Sequence, residues 1–100
     1  MFVVIYRWRV RPDMEDVFIE GWERVTRAIY ARCASYGSRL HRSDDGTWVG
    51  YARWPDEATR ARCVHGDQEG CELMASAIVE TYEELRCVLV SDLLAEPAPS

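Results

Sequence analysis

The segment from Phe2 to Val10 contains no Gly or Pro, is rich in β-branched and aromatic residues, and is apolar on both sides of its alternation. Successive strand side chains point to opposite faces. Phe2, Val4, Tyr6 and Trp8 therefore share one face, and Val3 and Ile5 the other. Leu85 to Leu94 reads the same way, with Leu85, Cys87, Leu89 and Leu93 opposed by Val88, Val90 and Leu94. Strands that are apolar on both faces need cover on both. A chain of 100 residues makes one domain, whose helices can cover only one side of a sheet. The other side predicts a partner, most simply a second copy in an obligate homodimer packed sheet against sheet.

Between these strands the punctuation is clear. Arg11-Pro12-Asp13 ends the first strand and offers Asp13 as an N-cap. Phe18, Trp22, Val25 and Ile29 then recur at helical spacing over about five turns. Tyr36 to His41 is a short mixed segment, Asp45-Gly46 is a strong hairpin signal, and Thr47 to Trp54 forms the returning arm. Pro55, Asp56 and Glu57 mark a helix start running towards Val64. After the break at His65-Gly66-Asp67, a second helical piece with Cys71, Met74, Ala75 and Ile78 on one face continues to about Thr81. The order β-α-β-β-α-β is the ferredoxin-like pattern of the α+β class, a four-stranded antiparallel sheet with helices on one face. The predicted domain spans residues 1–94, and 95–100 has the composition of a frayed C-terminal tail.

Composition narrows the function. The net charge of −5 disfavours nucleic acid and anionic membrane surfaces as partners. All 12 cations are arginine, and the chain has no Lys and no Asn, which removes Schiff-base chemistry and any site built on an asparagine amide. No apolar run approaches the roughly 18 residues of a membrane span, and Arg7, Arg9 and Arg11 interrupt the N-terminal apolar stretch. These features predict a cytoplasmic protein in which Cys33, Cys63, Cys71 and Cys87 stay reduced. Cys63, His65 and Cys71 supply three zinc-type ligands, but no fourth lies nearby, so no metal is expected.

The opening Val3-Val4-Ile5-Tyr6-Arg7-Trp8-Arg9-Val10-Arg11-Pro12, the hairpin Ser38 to Val49, and Tyr51-Ala52-Arg53-Trp54-Pro55 before a short helix resemble the antibiotic biosynthesis monooxygenase superfamily over roughly residues 1–94. The resemblance implies a dimeric α+β barrel, with a pocket between sheet and helices. In the family's aromatic-polyketide monooxygenases, which need no cofactor, a Trp ends the third strand, and Trp54 matches it. Those enzymes also use an Asn four residues earlier, where this chain has Gly50. The haem-degrading relatives carry an Asn where Tyr6 falls, and His65 lies roughly where their axial His would come.

Several residues suit such a pocket. Trp48, Gly50, Ala52 and Trp54 share a face, and the small residues between two indoles predict a slot for a planar ring. Trp8 is a candidate wall. Tyr6 and Arg39 are candidate donors to an oxygen that gains negative charge. His65 and His41 are the side chains that ordinarily titrate near neutrality, and His65 at a helix break has the better position for proton transfer. Tyr6 and His65 are thus candidate catalytic residues, and Trp54, Trp8, Arg39, His41 and Gly50 candidate substrate-binding residues. Each also has a structural reading, the indoles as core and the cations as solvated surface.

The expected function is cofactor-independent oxidation of a small planar aromatic, such as a polyketide phenol or quinol, by a homodimer. The alternatives are a non-catalytic dimeric binder of small molecules and a haem-binding or haem-degrading relative, which would need His65 as axial ligand.

Overall fold

A computed structural model describes residues 1–95 of the chain, so 96–100 of the expected tail lie outside the described residues. The elements are β1 (Phe2–Val10), a single 3-10 turn (Pro12–Met14), α1 (Glu15–Cys33), β2 (Ser38–Arg42), β3 (Trp48–Trp54), α2 (Glu57–Ala61), α3 (Gln68–Ala77), β4 (Ile78–Thr81) and β5 (Leu85–Val88). They form the expected α+β arrangement, an open antiparallel sheet with the long helices on one face. Its path runs β2-β3-β1-β4, and β5 also pairs with β1.

β1 is the centre of the sheet because it is hydrogen-bonded on both sides. On one side Phe2 to Trp8 face Trp54 to Trp48 of β3. On the other, Trp8 to Val10 pair with β4 and Phe2 to Ile5 with β5. The final strand is thus interrupted, which gives five strands where four are expected. The register shifts between Arg9 and Val10, and the backbone N–H of Tyr82 bridges the gap by donating to the Arg7 carbonyl at 3.0 Å. The second helical piece ends at Ala77, not Thr81, because Ile78–Thr81 are taken by the free edge of β1. The last strand stops at Val88, and 89–94 carry no regular structure.

Local chemistry sets the other boundaries. Asp13 does not cap α1; it lies within the 3-10 turn that Pro12 opens, and α1 starts without a side-chain cap. Asp56 does cap α2, accepting from the Thr59 N–H at 2.7 Å. The β2–β3 hairpin closes through Ser43 and Thr47, with Gly46 at φ 87° where L side chains are strained. Asp45 accepts from the Ser43 hydroxyl and the Thr47 N–H, and these bonds lower its carboxyl to about 2.

α1 and α3 cross backbone to backbone. A Cβ on Gly21 would stand 2.8 Å from both the Gly70 oxygen and the Met74 nitrogen. The face of α3 is therefore rotated from expectation. Gly70 and Ala77 are buried and Leu73 and Met74 half-buried, while Cys71 and Ala75 are exposed.

The cysteines also depart from expectation. Cys33 and Cys63 form a disulfide with Cα atoms 5.1 Å apart, leaving Cys71 and Cys87 as thiols. It ties the end of α1 to the link between α2 and α3, across 30 residues of sequence. A loop of that length gives about 3–4 kcal/mol of stabilisation in the chain-entropy account. Disulfides persist in oxidising surroundings, so cysteine usage does not support a cytoplasmic setting. No helix among the described residues is long and apolar enough to cross a membrane.

Because Gly21 meets backbone atoms that no side-chain rotation can move, Gly21→Ala should destabilise the fold by about 1–3 kcal/mol. Urea unfolding checks this, and an unchanged midpoint would show that the helices separate freely at the crossing.

Candidate functional site

The core between sheet and helices falls into two clusters. One gathers Phe2, Val4, Cys33, Ala52 and Trp54 at the start of β1; the other gathers Trp8, Val10, Phe18, Trp48 and Ala77 at its end. Phe18 is fully buried and stands edge-on to Trp8 and Trp48, with ring centroids 5.3 and 5.4 Å away. Tyr6 packs against both clusters. A cavity of about 190 Å³ lies at the seam. Its sheet wall includes Tyr6, Trp8, Gly50, Ala52 and Trp54, and its roof is Trp22, Val25, Thr26 and Ile29 of α1 with Met74 of α3.

The cavity thus brings together four of the residues singled out in the sequence: Tyr6, Trp8, Gly50 and Trp54. The expected slot over Gly50 is not simply open. A Cβ there would lie 3.0 and 3.1 Å from Cη2 and Cζ3 of Trp8, so the glycine makes room for that indole. Trp8 in turn stacks on Tyr6, with centroids 5.7 Å apart and planes 7° from parallel. Trp54 is buried, and its Nε1 has no hydrogen-bond partner among the described residues. A buried donor without an acceptor is rare and costly.

Tyr6 reaches a residue that sequence reasoning did not single out. The Nη2 of Arg60 donates to Tyr6 Oη at 3.0 Å and to Glu84 Oε2 at 3.0 Å. The guanidinium also sits 5.8 Å from the centre of the Tyr6 ring. Burial alone would lower the pKa of Arg60, but the bonds and charges of Tyr6 and Glu84 outweigh it and hold it above the ordinary arginine value. Arg60 and Glu84 are 54 and 24 residues from the groups they meet, in segments that read as solvated helix and turn. Trp22 and Met74 were legible only as helical periodicity, and Thr26 carried no signal.

The remaining candidates lie elsewhere. His65 is half-buried beside a separate cleft shared with Cys63, Asp67 and Cys71. Its Nδ1 accepts from the Asp67 N–H at 3.2 Å, and its carbonyl accepts from Arg32. Arg39 and His41 are exposed and pair with Tyr51 and Val49 on the sheet face away from the helices. Both border two open surface grooves along β2, one of them reaching Ile19, Trp22 and Glu23 of α1. The one-residue offset that puts Leu40 opposite Gly50 places its two neighbours on the far side. No side chain with an ordinary pKa near neutrality lines the cavity. Among the described residues there is no group of three or more His, Cys, Asp or Glu able to hold a metal ion.

Among solved structures, SnoaB of Streptomyces nogalater, a cofactor-independent oxygenase, superposes with a TM-score of 0.74 at 17% identity, over 92% of this chain and 95% of that one. A candidate antibiotic biosynthesis monooxygenase of Bordetella bronchiseptica gives 0.73 at 18% identity, over 90% and 97%. The fold is that of the antibiotic biosynthesis monooxygenases. Rv0793 of Mycobacterium tuberculosis shares it as well, with a TM-score of 0.73 at 14% identity over 93% and 98% of the two chains. No protein-family model matches the sequence, and no curated protein matches it significantly. At such identities the likeness to these monooxygenases concerns architecture, and the chemistry rests on this chain's own residues.

Proposed function

We propose that the chain binds a small planar aromatic in the seam cavity and oxidises it with dioxygen without a cofactor. The observation that carries this reading is a hollow lined by Tyr6, Trp8, Trp22 and Trp54, with the Tyr6 phenol as its placed polar group. Apolar walls with a few placed polar groups are what ligand pockets share. An enclosed apolar space of about 150 Å³ accommodates benzene, so a volume of about 190 Å³ suits one or two rings better than three.

In the reaction we infer, an ionised phenol gives an electron to dioxygen, and the resulting peroxide collapses. One oxygen atom enters the ring as a quinone carbonyl, and the other leaves as water. No carboxylate or imidazole lines the cavity, so the phenol's proton passes to solvent and neither His65 nor His41 serves as the base. The protein's part is to stack the ring beside Trp8 and Trp54 and to stabilise the oxyanion from Tyr6 Oη. The fold shared with SnoaB supports an oxygenase reading. A non-catalytic binder remains the second reading, favoured by Gly50 where the family's polyketide enzymes place an asparagine. A haem-binding role is less suited, since the one candidate axial ligand, His65, is not in the cavity wall.

We also propose that the working unit is a homodimer. The sheet face opposite the helices presents Ile5, Val49, Tyr51, Leu85 and Cys87 among Arg7, Arg39 and Arg53, Val3 being already buried, and no helix among the described residues packs there. Beyond it Val90 and Leu93 are each 95% exposed. Exposed apolar side chains on an uncovered sheet face support association with a second copy.

Oxygen uptake with 1-naphthol, giving 1,4-naphthoquinone and water, should exceed the uncatalysed rate, with Tyr6→Phe lowering it by about tenfold, the loss of one good hydrogen bond. Equal rates in both proteins would remove the catalytic reading and leave the binder. Sedimentation at micromolar concentration should give a mass near twice 11.5 kDa; a monomer would contradict the dimer.

A further inference from the structure

We propose that Arg60, anchored by Glu84, is a positioning residue that makes Tyr6 a dedicated hydrogen-bond donor, so that the cavity selects ligands bearing an acceptor oxygen, a carbonyl or a phenolate. This rests on the cavity being a ligand site, as inferred above, and adds which ligands it takes and what enforces the choice.

A phenol hydroxyl both donates and accepts. Arg60 Nη2 lies 3.0 Å from Tyr6 Oη and can only donate, so the phenol oxygen must act as acceptor in that contact. The single phenol proton is thereby released from any role towards Arg60 and is free for a group in the cavity that Tyr6 lines. Arg60 keeps this arrangement because Glu84 accepts from the same nitrogen at 3.0 Å and because the guanidinium lies against the Tyr6 ring, 5.8 Å from its centre. Glu84 stands in the gap between β4 and β5, so the interruption of the last strand supplies the carboxylate that fixes the arginine. Trp54 also lines the cavity, but its Nε1 is fully buried, which leaves the Tyr6 hydroxyl as the donor on which the selection turns. The lining holds no carboxylate or imidazole to receive a ligand's proton, and its remaining hydroxyls, Ser38 and Thr26, can donate as well as accept, so the cavity suits an acceptor oxygen.

The test compares two unreactive bicyclic probes of nearly equal shape, 1-tetralone with one carbonyl and tetralin with none, by isothermal titration calorimetry on the full chain. Wild-type protein should bind 1-tetralone about tenfold more tightly than tetralin, the effect of one well-made hydrogen bond. Tyr6→Phe should abolish that preference. Arg60→Met should reduce it several-fold while leaving tetralin affinity unchanged, and Arg60→Lys, which keeps a cationic donor, should restore much of it. A purely structural arginine would weaken both probes together. Should Arg60→Met fail to fold, Glu84→Gln, which removes the carboxylate charge that holds the arginine, should lower the same ratio. Equal binding of the two probes by wild type, or a preference that survives in Arg60→Met or in a folded Glu84→Gln, overturns the role of Arg60 and leaves the cavity reading standing. If neither probe binds, the cavity reading itself fails and this inference with it.

Discussion

The edge-on insertion of Phe18 between Trp8 and Trp48 is the contact on which the rest of the interior depends. Three large rings fill the space between α1 and the end of β1, where the helix begins, and hold the helix off the sheet by the thickness of a ring. At the opposite end Trp54, Phe2 and Val4 pack against the disulfide at Cys33. Between these two solid ends the sheet carries Gly50 and Ala52, which cannot fill the same height. The hollow follows from spacing along β3: bulky residues at its two ends, Trp48 and Trp54, and small ones, Gly50 and Ala52, between them. It is partly closed by Trp8, whose indole leans over Gly50, and its remaining volume is bounded by rings and aliphatic side chains.

That hollow acquires polarity from outside the core. Tyr6 sits on the central strand, but its oxygen is addressed by Arg60 from α2 and, through it, by Glu84 from the interrupted edge strand. α2 has only five residues, too few to be stable alone. It is held by the Asp56 cap at one end and by the disulfide just beyond the other. The covalent tie and the cap therefore matter to the site although neither touches the cavity.

Elements whose signal is periodic and local were legible in the sequence. β1, α1 and the hairpin arms follow from alternation, helical spacing and Asp45-Gly46, and the pairing of Tyr6, Trp8, Gly50 and Trp54 on one face follows from the period of two. Ile78–Thr81 were misread because a short apolar run fits a helix end as well as a strand, and only the free edge of β1 decides between them. Arg39 and His41 failed for a related reason, since β2 is too short and mixed for its pattern to say which residues face inward. The disulfide, the Arg60–Tyr6 bond and the Gly21–Gly70 approach join residues far apart in the chain, and nothing in their local sequence announces them. His65 and His41 stood out by intrinsic pKa, and His65 also by its place at a helix break, but neither lines the cavity.

The most direct measurement is the indole N–H region of a nitrogen-15 NMR spectrum during titration with 1-naphthol. Trp8, Trp22 and Trp54 line the cavity and Trp48 does not. Saturable shifts of the Trp54 signal, accompanied by those of Trp8 and Trp22 and with Trp48 little changed, are what a ligand in the seam produces. A spectrum that does not move, or shifts confined to Trp48, would mean that the hollow is a packing defect and not a binding site.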